Sequence, residues 1–222
     1  SWAVNLIWLD TDQVLGRSSY YVQQMAAENR PTYNVKSNMT MSTPRIADYN
    51  EGRFGFGSWH TQVEFKDVKL PGADGAPIDL NKAVKKEGEW SLDNGLLKQT
   101  SLREPAKYIV DGFNGNQFTL EFKVRKEGGN EGFFLYFGLS EDSNKGFVYN
   151  VAGWNNGTTA VEEVTGGRTS GVAGDRVSQS LETDKWYDAK LVVTPQKSEL
   201  FMDGKLILAH APETTPLQFF SS

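Results

Sequence analysis

Residues 128–156, GGNEGFFLYFGLSEDSNKGFVYNVAGWNN, decide the fold. Two apolar, aromatic-rich runs, 133–139 and 147–151, flank a polar turn segment at 140–146, which is the pattern of a β-hairpin. Neither run alternates with polar residues, so the pair is expected to be buried on both faces. Just past the second run, Gly153-Trp154-Asn155-Asn156-Gly157 sets an indole in a Gly/Asn-rich turn. An aromatic side chain in that setting can face a ligand.

Outward from this hairpin the chain changes to a period of two. Phe118, Leu120, Phe122 and Val124 alternate with Thr119, Glu121 and Lys123, and so do Phe54, Phe56, Val63, Phe65 and Val68 with their neighbours. Asp93-Asn94-Gly95 and Asp203-Gly204 are two-residue hairpin signals. Runs at 158–165, 186–194, 198–202 and 205–209 supply further strands. About a dozen short strands separated by turns predict a mainly β protein built as a two-sheet sandwich.

The first thirty residues read differently. The apolar run VNLIWL is a strand or the approach to a helix, and SSYYVQQMAAENR predicts one N-terminal helix, capped by Ser18 or Ser19 and stopped by Pro31. A single helix cannot bury its own stripe, so it must lean on another body. The polar stretch 32–51 reads as a linker.

Composition narrows the functions. Net charge is −5 with acidic and basic residues interspersed, so the basic footprint of a nucleic-acid binder is missing. No apolar run approaches the roughly 18 residues of a membrane span. The start lacks the features of a signal peptide, and the chain reads as part of something longer. With no cysteine, a disulfide framework, a thiol nucleophile and a thiolate metal site are excluded.

Two stretches resemble known families. NLIWLDTDQVLGRSSYYVQQMAAENRP is similar to the end of the catalytic (α/β) barrel in family 51 glycoside hydrolases, the α-L-arabinofuranosidases. Residues 52–216 resemble the concanavalin A-like (laminin G-like) jelly-roll sandwich modules that accompany glycosidases, through GFGSWHTQVEFKDVKL, GEWSLDNGLLKQT, GGNEGFFLYFGL, NVAGWNNGTTAVEE, KWYDAKLVV and FMDGKLI. In such modules the segment like GFGSW…EFKDVK comes last, whereas here it comes first. The resemblance therefore implies a module with its terminal strand permuted to the front. It would be inserted between a barrel remnant at 1–31 and an exit segment at 217–222. It also implies an extracellular or periplasmic protein whose partners are plant cell-wall polysaccharide or oligosaccharide and the rest of the parent glycosidase.

The resembled enzymes carry both catalytic carboxylates on barrel strands ahead of residue 1, so no catalytic residue is assigned in this chain. Glu162 and Glu163 are strand neighbours and face opposite ways. Glu131, at the mouth of the central hairpin, can meet Glu162 across the sheet, which would give a stand-alone hydrolase its acid and base. Trp154, Asn155 and Asn156 are candidate sugar contacts, an aromatic platform with amides for hydroxyls, against the plain reading of a packed turn. Tyr136 and Tyr149 are candidates for the same face or are core. Glu141, Asp142 and Asn144 resemble half of a calcium site, or form a polar turn; no other cofactor is implied. Trp59, Trp90 and Trp186 read as core. His60 and His210 would be neighbours if the ends of the sandwich meet.

Overall fold

The computed structural model describes residues 7–10, 13–16, 44–45, 48–70, 78–103, 105–212 and 215–216. The chain divides into two compact units, Ser1–Ser42 with Gln218–Ser222, and Thr43–Leu217. In sequence the second is nested inside the first. Within the first unit, β1 (Ile7–Asp10) and β2 (Gln13–Gly16) pair antiparallel, with Ile7 opposite Gly16. The helix expected over 18–30 lies outside the described residues.

The second unit opens with β3 (Pro44–Arg45), β4 (Arg53–Ser58), β5 (Thr61–Lys69) and β6 (Ala83–Glu87). It continues through β7 (Trp90–Asp93), β8 (Leu96–Gln99), β9 (Ala106–Val110) and β10 (Phe118–Gly129). Next come β11 (Phe133–Leu139), β12 (Lys145–Ala152), the four-residue helical turn α1 (Gly153–Asn156), β13 (Thr158–Thr165) and β14 (Arg168–Ser178). Finally, β15 (Trp186–Thr194), β16 (Lys197–Met202), β17 (Lys205–His210) and β18 (Thr215–Pro216) complete it. Fourteen of these strands form two antiparallel seven-stranded sheets, packed as a sandwich. Sheet one runs β17-β16-β15-β10-β5-β8-β7, and sheet two runs β14-β13-β12-β11-β4-β9-β6. β3 and β18 pair separately, which sets the beginning and end of the unit side by side.

The expected turns form for the expected reason. Asn94 (φ 47°) with Gly95 (φ 80°), and Asp203 (φ 49°) with Gly204 (φ 77°), hold two successive left-handed residues, as hairpin turns matching the strand twist require. Between the sheets the core is aromatic. Phe56 lies 4.5 Å from Phe65 and 5.3 Å from Phe122 by ring centroid, and Phe65 meets Phe133 edge-on. Tyr49, read as linker, belongs to this core. Its hydroxyl meets Ser198 Oγ at 3.1 Å and bonds His210 Nδ1, while Asn116 donates to its carbonyl.

The central hairpin is indeed buried on both faces. Phe133, Leu135 and Phe137 point into the inter-sheet core, whereas Phe134 and Tyr136 join Ile109, Val148 and Val164 in a second cluster on the far side of sheet two. That cluster is covered because the sheet curls. Lys107 on β9 donates to the carbonyl of Gly167 in the β13–β14 turn, although β9 and β13 are four strand positions apart. Across a flat sheet this would be about 19 Å, far beyond a lysine's reach. Sheet two is therefore concave on its outer side.

Candidate functional site

The two outer faces differ in kind. On sheet one, buried Glu64 pairs with Arg125 at 2.6 Å and Lys98 at 3.0 Å, and Glu127 closes the lattice against both cations. Trp186 lies beneath Lys66 and Arg125, half-buried on this face, and is not the core residue its strand setting suggested. Glu64 and Glu127 there are matched by Lys98 and Arg125. On the concave face of sheet two, polar side chains are sunk into an apolar floor instead. Asn150 on β12 donates from Nδ2 to Glu162 on β13 at 3.0 Å. The register sets Asn150 opposite Ala160 and Glu162 opposite Val148, so the two are diagonal neighbours on one face.

At the end of β12 the chain enters a left-handed turn. Ala152 (φ 51°), Trp154 (φ 47°), Asn155 (φ 62°) and Asn156 (φ 56°) all have positive φ, and the turn closes through Gly157 N–H to Gly153 O at 2.9 Å. Left-handed backbone costs roughly 1–2 kcal/mol for each such residue, less for asparagine, so Ala152 and Trp154 carry the strain. Several contacts hold it. Asn156 accepts from Leu181 N and donates to Leu181 O, both at 2.9 Å. Gly153 must be glycine because a Cβ would stand 2.2 Å from the Asn150 side chain. Glu131, in the β10–β11 loop, faces this turn, and the backbone N–H groups of Asn155 and Trp154 favour its charged form. The strain has a product: an exposed indole, 38 % accessible, held on the turn that faces Glu131.

Arg176 on β14 completes the group. Its guanidinium carbon lies 5.0 Å from the Trp154 ring centre, and its charge reaches Glu162. Burial pushes the Glu131 carboxyl up, while the Asn155 N–H, the charge of His60, the Trp154 N–H and the charge of Lys126 pull it back. Burial also raises Glu162, opposed by the Asn150 hydrogen bond and by Arg176, and the charge of Glu131 raises it further. The charge of Glu131 thus reaches Glu162.

A raised carboxyl favours the protonated form in the folded chain. Its contribution to stability is fully present below the ordinary value of 4.5 and is lost as pH climbs through the elevated one. Glu162→Gln, which keeps the acceptor for Asn150 but removes the charge, is expected to melt higher at neutral pH. The expected rise is roughly 2–4 °C, the shift that about 1 kcal/mol makes in a domain of this size. Thermal melts at pH 4 and 7 check this: the gain is present at pH 7 and shrinks toward pH 4.

The remaining expectations separate cleanly. Tyr136 lies on the concave face and is only 1 % accessible, a floor residue whose hydroxyl is raised by burial and by the charges of Glu87 and Glu162. Tyr149 does not share that face. It stands opposite Leu135, points between the sheets and bonds Ser198 Oγ at 2.9 Å, so it is core. Asn156 is occupied by the Leu181 backbone, whereas Asn155 is exposed. Trp59 is 39 % accessible at the β4–β5 turn, not core, while Trp90 is buried as expected and donates to Glu87 O. Asp142 accepts from Ser140 Oγ, Asn144 N and Asn144 Nδ2. The carbonyl of Glu141 takes Arg53. Among the described residues no group of three His, Asp or Glu is arranged to hold a metal. The histidines keep separate company, His60 with Trp59 and Leu102 O, His210 with Tyr49 and Phe147.

The family profile of the 3-keto-alpha-glucoside-1,2-lyase-like domain matches residues 74–218. The chain belongs to this family. A curated relative, an extracellular exo-alpha-L-arabinofuranosidase of Streptomyces chartreusis, is 29% identical over 214 residues, covering 92% of this chain and 25% of that protein. The chain thus spans about a quarter of the length of that relative. No solved structure gave a significant match. The family match begins after β4 and β5.

In this family member the concave site offers a recognisable chemistry. An exposed indole offers an apolar face, and two carboxyls, an amide and a guanidinium offer hydrogen-bond acceptors and donors, groups that suit a polyhydroxylated ligand. Sequence reading missed Asn150 and Arg176. Asn150 left a trace, as the one polar residue in the buried run FVYNVA. Arg176, in the polar edge strand RTSGVAGDRVS, left none.

Proposed function

We propose that this chain is the glycan-recognising sandwich of a larger arabinofuranosidase-type protein, inserted near the end of a family 51 catalytic barrel. It holds arabinose-containing plant polysaccharide for catalytic residues that lie elsewhere in the parent protein. The observation that carries this reading is the strained left-handed turn, which holds Trp154 against Arg176, whose charge reaches Glu162, and faces Glu131. The arabinofuranosidase relative supports the parentage. The nested division of the chain and the β3–β18 pairing support an insertion, since an inserted module must leave where it enters. The late start of the family match supports a concanavalin A-like module whose terminal strands have moved to the front. A location outside the cytoplasm follows from the same parentage.

Titrating the chain with arabinan and arabinoxylan oligosaccharides, while following tryptophan fluorescence, is expected to give a saturable change. Silence across these ligands would overturn the reading and leave a module that only braces its parent.

A second reading rests on the paired, raised carboxyls and on the family's lyase-like description. One glutamate would take the proton beside a ketone on a sugar, and the other would protonate the departing oxygen as the C–O bond breaks. Turnover of a 3-keto-glucoside that disappears in Glu131→Gln would favour it.

A further inference from the structure

Beyond the acidic pair, the concave face continues into a cleft of about 670 Å³ whose walls include Trp59, Phe134 and Tyr136. That volume lies inside the roughly 300–1,000 Å³ range of ligand pockets. Tyr136 joins the two regions, because its hydroxyl feels the charges of Glu87, in the cleft, and of Glu162, in the acidic pair. The cleft is charged the other way. Lys85, Lys107 and Arg168 line it, and Glu87 is the carboxylate among its lining residues. Glu87 Oε1 lies 3.3 Å from Lys85 Nζ, and its Oε2 lies 3.9 Å from Lys107 Nζ. Three cations against one carboxylate leave positive charge in excess. Lys107 is buried at the base, where burial pushes its ammonium down, Glu87 pulls it up, and Lys85 and Arg168 push it down again.

On the outer face of sheet one, by contrast, the buried carboxylate is matched by its neighbours. The lattice on sheet one sets Glu64 and Glu127 against Lys98 and Arg125. Lys85 and Arg168 reach solvent in this cleft, so their charge is available to an anionic ligand, and an aromatic wall suits the face of a sugar ring. We propose that the Trp59–Lys107–Arg168 cleft is a subsite for a carboxylated sugar, a uronic acid unit, adjoining the neutral-sugar site at Trp154. This inference rests on the glycan-binding reading above and narrows its substrate to glycans in which an acidic unit neighbours a neutral one.

The test uses the whole chain and three probes: an arabinosylated xylo-oligosaccharide, the same oligosaccharide with a glucuronic acid substituent, and the methyl ester of that acid. By calorimetry at low salt the acid is expected to bind about tenfold tighter than its ester, the worth of a charge-assisted hydrogen bond. The advantage should fade with added salt. It should also vanish in the Lys85→Gln/Arg168→Gln double variant, which alters accessible side chains and leaves Lys107 in place, while the neutral oligosaccharide binds that variant as before. Equal affinity for acid and ester, or an advantage that survives in the variant, would overturn the subsite and leave the neutral site standing. If none of the three probes binds, both readings fall. Binding of the acid alone would keep the subsite and remove the neutral one.

Discussion

Phe56→Ala is expected to cost the sandwich about 3–5 kcal/mol, the range for emptying a packed phenylalanine site. Phe56 has no solvent exposure and stands on β4 in the middle of sheet two, opposite Leu135 on one side and Tyr108 on the other. Its ring meets Phe65, Phe122 and Phe54. Two of these contacts are edge-to-face or nearly so, and the neighbours are anchored in different strands of both sheets. They cannot slide together to fill the gap, so most of the lost volume persists as a void. Leu206→Ala, on an exposed residue of β17, should stay within about 0.5 kcal/mol. Urea denaturation of both variants checks the pair. A loss below about 1 kcal/mol at Phe56 would mean that the aromatic core is not organised around β4.

Trp154→Ala is expected to weaken oligosaccharide binding about thirtyfold, as removal of an aromatic anchor worth roughly 2 kcal/mol does. A glycine at the same position should have the opposite effect on stability. Trp154 holds a left-handed φ that glycine adopts freely, so Trp154→Gly should lose binding as fully as the alanine variant while gaining about 1 kcal/mol of stability. That opposition separates a ligand platform from a packing residue, because a core tryptophan loses stability on truncation. Calorimetric titration and thermal melts of the three proteins read both quantities. Unchanged binding with a large fall in melting temperature would make Trp154 structural.

The sandwich was legible because its strands advertise themselves. Phe118, Leu120, Phe122 and Val124 alternate and point inward, and the Asn94-Gly95 and Asp203-Gly204 turns close where positive φ is needed. The unbroken run FFLYFGL correctly signalled a strand buried on two faces, although nothing local revealed that the second cover is a curled sheet. β6 and β14 escaped notice because edge strands with exposed, Gly- or Lys-rich sequence lack the pattern that burial imposes. β9 escaped because AKYIV is short and directly follows a proline.

The site was half legible. Glu131, Glu162 and Trp154 were chosen for their place around the central hairpin, and the fold brings them together. Of the two readings open for Tyr149, the structure shows the core one, with its hydroxyl on Ser198. Arg176 arrives from an edge strand that pairs with β13, and only the three-dimensional register sets it against Glu162. Trp59 was read as core because it follows the strand pattern of GRFGFGS, yet it stands at the turn where β4 hands over to β5, past the last buried position.

The central claim is that a glycan sits on the concave face of sheet two, against the left-handed turn. An amide-resolved NMR titration of the chain with an arabinosylated oligosaccharide tests it most directly. The expected result is saturable shifts of the Trp154 indole and of the Glu131, Asn150, Asn155 and Arg176 amides, with Trp186 and the Glu64 lattice unmoved. Shifts centred on Trp186 and the outer face of sheet one, or none at all, would contradict it.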